Sequence, residues 1–332
     1  MYYEFFGLQK APFNLTPDPE FLYLTPHHRE ALAGLTYAIL ARKGFVVLTG
    51  EAGTGKTTIL TRILSHLPVT RVESSVIVNP TLSPGEFLES TLLDFGFHEI
   101  PASKAQRIAI LQNFLWAGHR NGKVSALVVD EAHKLSLEVL EEIRLLGNFE
   151  SSGEKLLQIV LVGQCELGEV LNQDQLRQLK QRVALRLEIE PLQAEEVEHY
   201  IGHRWMKAGG NEVPFTEEAI CHIAAVSQGI PRVINLVCDN ALMQAFGEGS
   251  LHVDEHHVLA VSTNLHLAVA TSPGVRTEIS PTLPAEAAPF APVDWDYPIK
   301  TLERYGELTR RRRSLISRLA GKLGFTHRIE AA

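Results

Sequence analysis

Cysteine is scarce in this chain: Cys165, Cys221 and Cys238 are the three in 332 residues. An odd number, widely separated, excludes a disulfide framework and lacks the paired spacing of a zinc knuckle. Their apolar flanks read as core filling. No run approaches the roughly 18 uninterrupted apolar residues of a membrane-crossing helix, and residues 1–10 lack the basic and then apolar order of a secretory leader. The expected address is therefore the cytoplasm or the periphery of the inner membrane. Internal repeats are absent as well, which removes solenoids and propellers.

What is present is an ordinary globular composition, 45% hydrophobic, with a net charge of −8. The charge is unevenly placed. Residues 298–330 hold nine Lys/Arg against three Glu, while the remainder holds 22 basic and 36 acidic residues, so the tail is near +6 and the body near −14. Such polarity suits a tail that meets something anionic, or that folds back on its own body.

Short β-branched runs at 45–49, 76–79, 126–130, 158–162 and 185–189 alternate with longer amphipathic stretches. Five buried strands separated by helices predict an α/β fold, a parallel sheet covered on both faces. From 193 the strand-like runs stop, and helical patterns at 194–207, 216–227 and 232–246 predict a small helical domain. Thr216 before Glu217 and Glu218 reads as a helix start, and Asp254 as another N-cap. Residues 269–298 carry six prolines from Pro273 to Pro298 and predict a stiff linker. After it, Tyr305, Leu308, Leu315, Leu319 and Leu323 share one helical face among arginines. The expected organisation is a lead-in (1–40), an α/β core (41–192), a helical domain (193–268), the linker (269–298) and a basic amphipathic tail (299–332). By its residues alone, the aromatic lead-in is expected to pack on the sheet.

Gly50-Glu51-Ala52-Gly53-Thr54-Gly55-Lys56-Thr57 fits G-x-x-x-x-G-K-[ST] between an apolar strand and a helix, which is the context a P-loop needs. The glycines let backbone N–H groups wrap phosphates, with Thr58 continuing the helix start. Lys56 reaches the β- and γ-phosphates, and the Thr57 hydroxyl suits Mg²⁺. Some 80 residues on, the strand 126–129 ends in Asp130 and Glu131. These two carboxylates divide the work: Asp130 for Mg²⁺ and Glu131 for the attacking water. A third strand ends at Gln164, an amide placed to bond the γ-phosphate or that water. The letters Asp130-Glu131-Ala132-His133 also spell a helicase box, but a helical lid of about 70 residues is too small for the second domain such enzymes need. His252, His256 and His257 invite a metal reading, which Asp254 disfavours by starting a helix between them.

With these elements in place, the sequence resembles the ExeA-like (general secretion pathway protein A) group of bacterial AAA+ ATPases, related to transposition ATPases of the MuB and TnsC kind. The resemblance covers about 1–265. It is carried most specifically by the opening, Tyr3-Glu4-Phe5-Phe6-Gly7-Leu8 through Pro12-Phe13, then Pro17-Asp18-Pro19, Tyr23 and His27-His28-Arg29-Glu30-Ala31-Leu32. It implies an adenine pocket involving Tyr23 and His28. Gly229-Ile230-Pro231-Arg232 looks like the family's sensor-2 motif, which implies that Arg232 reports the γ-phosphate to the lid. The segment 176–183 resembles the one carrying an arginine finger, with Arg182 favoured over Arg177, which implies a homo-oligomeric ring or filament. The family's namesake continues into a membrane helix and a peptidoglycan-binding domain; here the continuation is the linker and basic tail.

The expectation is thus an ATP- and Mg²⁺-dependent ATPase that drives assembly or remodelling of a secretion, pilus or exopolysaccharide system. The alternative is an ATP-dependent DNA-binding assembly protein. For the tail, DNA, an anionic membrane and a partner protein all remain open.

Overall fold

The computed structural model describes residues 2–267 except positions 17, 69 and 79. The proline-rich linker and the basic tail lie outside the described residues. Strands β1 (Phe45–Gly50), β2 (Val72–Ile77), β3 (Val124–Val129), β6 (Leu157–Val162) and β7 (Val183–Ile189) form one parallel sheet in the order β2-β3-β6-β1-β7. The remaining two, β4 (Glu150–Ser151) and β5 (Glu154–Lys155), make a small hairpin before β6 that the sequence pattern did not suggest.

Strand residues alternate between two cores, as the period of two requires. Val46, Leu48, Ala126, Val128, Val160 and Val162 face the helices Pro26–Leu40 and Lys56–His66. Phe45, Val47, Leu127, Val129, Ile159 and Leu161 face the helices Pro84–Phe95, Lys104–Arg120 and Leu137–Leu146. Both faces of β3 and β6 are fully buried, which explains their unbroken apolar runs. β7 departs from the expected buried strand. It is an edge, and its inward Leu185, Leu187 and Ile189 alternate with exposed Ala184, Arg186 and Glu188.

The lid consists of the helices Ala194–Lys207, Glu217–Ser227, Pro231–Glu248 and Glu255–Asn264. Thr216 caps the second by accepting the Ala219 N–H, and Asp254 caps the fourth in a box with His257. The lead-in behaves differently from its bottom-up expectation. Its aromatic part enters the core of the lid rather than the sheet: Leu8, Phe13 and Phe21 are buried with Val197, Ile201, Trp205 and Phe215. Phe13 stands edge-on to Phe215, Phe6 edge-on to Trp205, and the Gln9 N–H donates to the Ala208 carbonyl. Leu24 and the helix Pro26–Leu40 are the part that reaches the sheet, the helix lying against β7, β1 and β3. The lid is therefore built from both ends of the described chain. Cysteine also needs correction, because Cys238 is core filling while Cys165 and Cys221 are exposed. Among the described residues no helix is long and apolar enough to cross a membrane.

Candidate active site

At the C-terminal ends of the parallel strands, the adjacent strands β1 and β6 send their connections in opposite directions, β1 toward β2 and β6 toward β7, and such a switch point opens a crevice. A cavity of about 590 Å³ occupies it, bounded by the P-loop, the lead-in and the lid. That volume is in the range of small-molecule sites.

The loop after β1 turns through Gly55, whose φ of +96° an L side chain would rarely adopt, and delivers the helix Lys56–His66. No side chain caps that helix. Its first-turn N–H groups are left for an anion, with the helix dipole behind them. Lys56 is 6% exposed and donates to the carbonyls of Gly50 (2.8 Å) and Glu51 (2.6 Å), which leaves one of its three donors for another acceptor. Burial lowers its pKa, against the pull of Asp130 and Glu131. Ala52, Gly53, Thr54, Gly55, Thr57 and Thr58 complete this wall.

Opposite it, Asp130 is 3% exposed. Its Oδ2 accepts from the Thr57 hydroxyl at 3.0 Å and its Oδ1 from the Glu131 N–H at 2.9 Å. Burial raises its pKa, while those two donors hold it down. Mg²⁺ takes hard oxygen ligands, and a hydroxyl and a carboxylate already side by side are such a donor set, so the residues fit the ion.

Glu131 stands at φ 55°, a left-handed backbone uncommon for a side chain of this kind. Its carboxylate pairs with Lys134 Nζ at 2.8 Å and lies 3.8 Å from His133 Nε2. His133 Nδ1 in turn accepts the Gln164 backbone N–H at 3.3 Å, which ties the end of β6 to the end of β3. Gln164 lines the cavity beside Asp130 and Glu131. The sequence pattern offers His133 only as a letter of a helicase box and gives Lys134 no role, although their position directly after Glu131 is the available signal.

The lead-in and lid close the cavity. Thr25 caps the helix Pro26–Leu40 in a capping box with His28, which is 3% exposed. His28 Nε2 lies 3.4 Å from the Thr54 carbonyl, linking that cap to the P-loop. Tyr23 packs edge-on to Tyr200 and also lines the cavity. Gly229, at φ +73°, is required because a Cβ would run into the Leu192 carbonyl. The turn it makes starts the helix Pro231–Glu248, and the Arg232 N–H donates to Gly53 at 3.3 Å. Arg232 thus faces the P-loop across the cavity. Arg182 is elsewhere: its Nη1 donates to the Arg144 carbonyl at 2.8 Å, and neither it nor the exposed Arg177 lines this cavity.

A family model described as an AAA domain matches residues 39–171. General secretion pathway protein A of Aeromonas hydrophila is 41% identical over 282 residues, 84% of this chain. The chain belongs to the ExeA-like AAA+ proteins. It spans 50% of the length of that relative. Solved structures similar in fold to this AAA+ protein include the following three. The Aeropyrum pernix ORC2 protein in its ADPNP-ADP complexes has a TM-score of 0.56 at 16% identity, covering 77% of this chain and 71% of that one. Cdc6p from Pyrobaculum aerophilum has 0.56 at 20%, covering 81% and 72%. The Aeropyrum pernix ORC1 protein in complex with DNA has 0.57 at 18%, covering 77% and 69%.

Away from the cavity, Glu248, His256 and His257 bring three ligand atoms within 4.8 Å, with Glu248 in the place that the sequence reading gave to His252. His257 Nδ1 accepts the Asp254 N–H, so its Nε2 carries the ring proton and faces Glu248 at 3.3 Å. That is a helix cap with a neutral imidazole beside a carboxylate rather than a free ligand set.

Proposed function

We propose that this AAA+ protein binds ATP with Mg²⁺ in the cavity between P-loop, lead-in and lid, and hydrolyses it. The observation that carries the reading is the meeting of Lys56, Thr57, Asp130, Glu131 and Gln164 around one cavity from the ends of three separate strands, β1, β3 and β6. Thr57 and Asp130 would hold Mg²⁺, which supplies charge neutralisation between the phosphates. Lys56 and the free N–H groups of its helix bind the phosphate oxygens. Glu131 leaves Lys134 to orient a water and take its proton, and Gln164 bonds the same water or the γ-phosphate. Arg232 carries the presence of the γ-phosphate to the lid. Arg182, turned away from its own cavity, serves a neighbouring subunit in a ring or filament.

Glu131→Gln tests the centre of this reading. Turnover is expected to fall by roughly 10²–10⁴-fold while ATP binding persists; unchanged turnover would remove Glu131 from the base role. For Arg182, the turnover per subunit should rise with protein concentration and stop rising in Arg182→Ala. A flat profile in the native chain would leave each subunit self-sufficient.

The coupled process is proposed from the 41% identical relative, whose name places it in general secretion: ATP turnover would assemble or remodel such a system. A second reading, ATP-dependent assembly on DNA, draws on the fold neighbour solved in complex with DNA. ATPase assays with and without duplex DNA separate them, since DNA stimulation that fades with added salt belongs to the second reading alone.

A further inference from the structure

Lead-in and lid meet around a polar chain that none of these roles uses. Arg204, 6% exposed, donates from Nε to the Pro12 carbonyl (2.7 Å) and from Nη1 to the Tyr200 hydroxyl (3.2 Å), with its guanidinium 4.8 Å over the Phe21 ring. Tyr200 donates to Asn235 Oδ1 at 2.9 Å. The direction of this chain is forced. Arginine has only donors, so it takes a lone pair of the Tyr200 oxygen, and the single Tyr200 proton must go onward to Asn235. Asn235 therefore turns its amide oxygen to Tyr200 and its NH₂ away from it.

That NH₂ has no hydrogen-bond partner among the described residues. Asn235 is 7% exposed, and it lines the cavity. It follows Arg232 by three residues, so the two share one face of the helix Pro231–Glu248, about 4.5 Å apart along its axis. The Arg232 end touches Gly53, on the phosphate side. Asn235 lies one turn farther in, where the cavity wall is made by Phe21, Leu22 and Tyr23. A fixed neutral donor among aromatic and apolar groups suits an uncharged acceptor better than a phosphate.

We propose that Asn235, oriented by Arg204 through Tyr200, is a specificity-determining donor that reads a hydrogen-bond acceptor on the nucleoside half of the bound nucleotide. The acceptor is a purine ring nitrogen or a ribose oxygen. A nucleotide lacking it leaves a desolvated donor unpaired, which is how buried polar groups discriminate. This rests on the ATP reading above.

The test is calorimetric binding to the full chain in EDTA, which prevents turnover, of ATP and its 1-deaza, 3-deaza, 7-deaza, 2′-deoxy and 3′-deoxy analogues. One analogue is expected to bind roughly five- to tenfold more weakly than ATP, the scale of one hydrogen bond, and its identity distinguishes base from ribose. In Asn235→Asp, which keeps an acceptor for Tyr200 but loses the NH₂, that analogue-to-ATP ratio should collapse toward one. Taking the ratio cancels any uniform loss from the new charge. Tyr200→Phe frees the Asn235 amide to turn and should shrink the ratio partway. Equal binding of all analogues by the native chain, or a ratio that survives in Asn235→Asp, would overturn the proposal. Failure of the native chain to bind ATP even with Mg²⁺ would instead remove the reading beneath it.

Discussion

Thr57 and Asp130 are 73 residues apart in the sequence, yet their side-chain oxygens meet at 3.0 Å, with the carboxylate almost completely buried. A buried carboxylate is costly unless donors or a cation compensate it, and here two donors do so only in part, since the pKa remains raised. A cation held by Thr57 and Asp130 would supply the missing compensation. The consequence at this scale concerns Mg²⁺ rather than ATP itself. Thr57→Val keeps the shape and removes the hydroxyl, so ATP affinity measured in EDTA should match the native chain, while the gain on adding Mg²⁺ should drop by about tenfold. An unaltered Mg²⁺ gain would show that Thr57 is not a ligand.

Among elements, the helix Pro26–Leu40 shows how a local cap is drawn into the site. His28 serves the box with Thr25 and points its second nitrogen at Thr54. Burial lowers its pKa from 6.5, so as pH falls through 6.5 the unfolded chain takes up a proton before the folded one does. Stability is therefore lost from 6.5 down to the folded pKa, at up to about 1.4 kcal/mol per pH unit, and is unaffected by this group above 6.5. His203 is shifted the same way by burial, so His28→Gln, which can still cap, should reduce the slope of stability against pH without abolishing it. Urea unfolding at pH 5 to 7.5 measures this. The sequence made such elements legible where the determinants are local: the P-loop spacing, the acids closing β3, and the Thr216 and Asp254 caps all depend on neighbours within a few residues. It was less informative where the partner is distant. The spacing of Leu8, Phe13 and Phe21 has no period, so nothing in it distinguishes sheet from lid. For β7 the signal was present, since Arg186 and Glu188 alternate with Leu185 and Leu187 as an edge strand does. The apolar run before Cys165 belongs to β6, and the turn at Gly163 and Gln164 carries the cysteine out to the surface.

At the scale of the whole molecule, the cavity lies between two bodies that the chain order does not separate. The sheet and its two helical layers form one; residues 2–23 and the four lid helices share the core of the other. The links between them are short, near Leu24 and Thr25 and again between Ile189 and Gln193, with the Leu192 N–H held by the Gly229 carbonyl at 2.9 Å. Arg232, Tyr23 and the Arg204 chain therefore belong to the body that moves if the cavity opens, and the P-loop to the body that stays. If lead-in and lid are one cooperative unit, damage at the lead-in must be felt in the lid. Phe13 is fully buried against Phe215, and Phe13→Ala should cost about 3–5 kcal/mol through the cavity it leaves. That loss should appear in hydrogen exchange as faster exchange along 194–207 and 217–227, while β1, β3 and β6 keep their protection. Equal acceleration in sheet and lid would mean that the two bodies unfold together, and exchange confined to residues 2–23 would mean that the lead-in is an appendage rather than part of the lid.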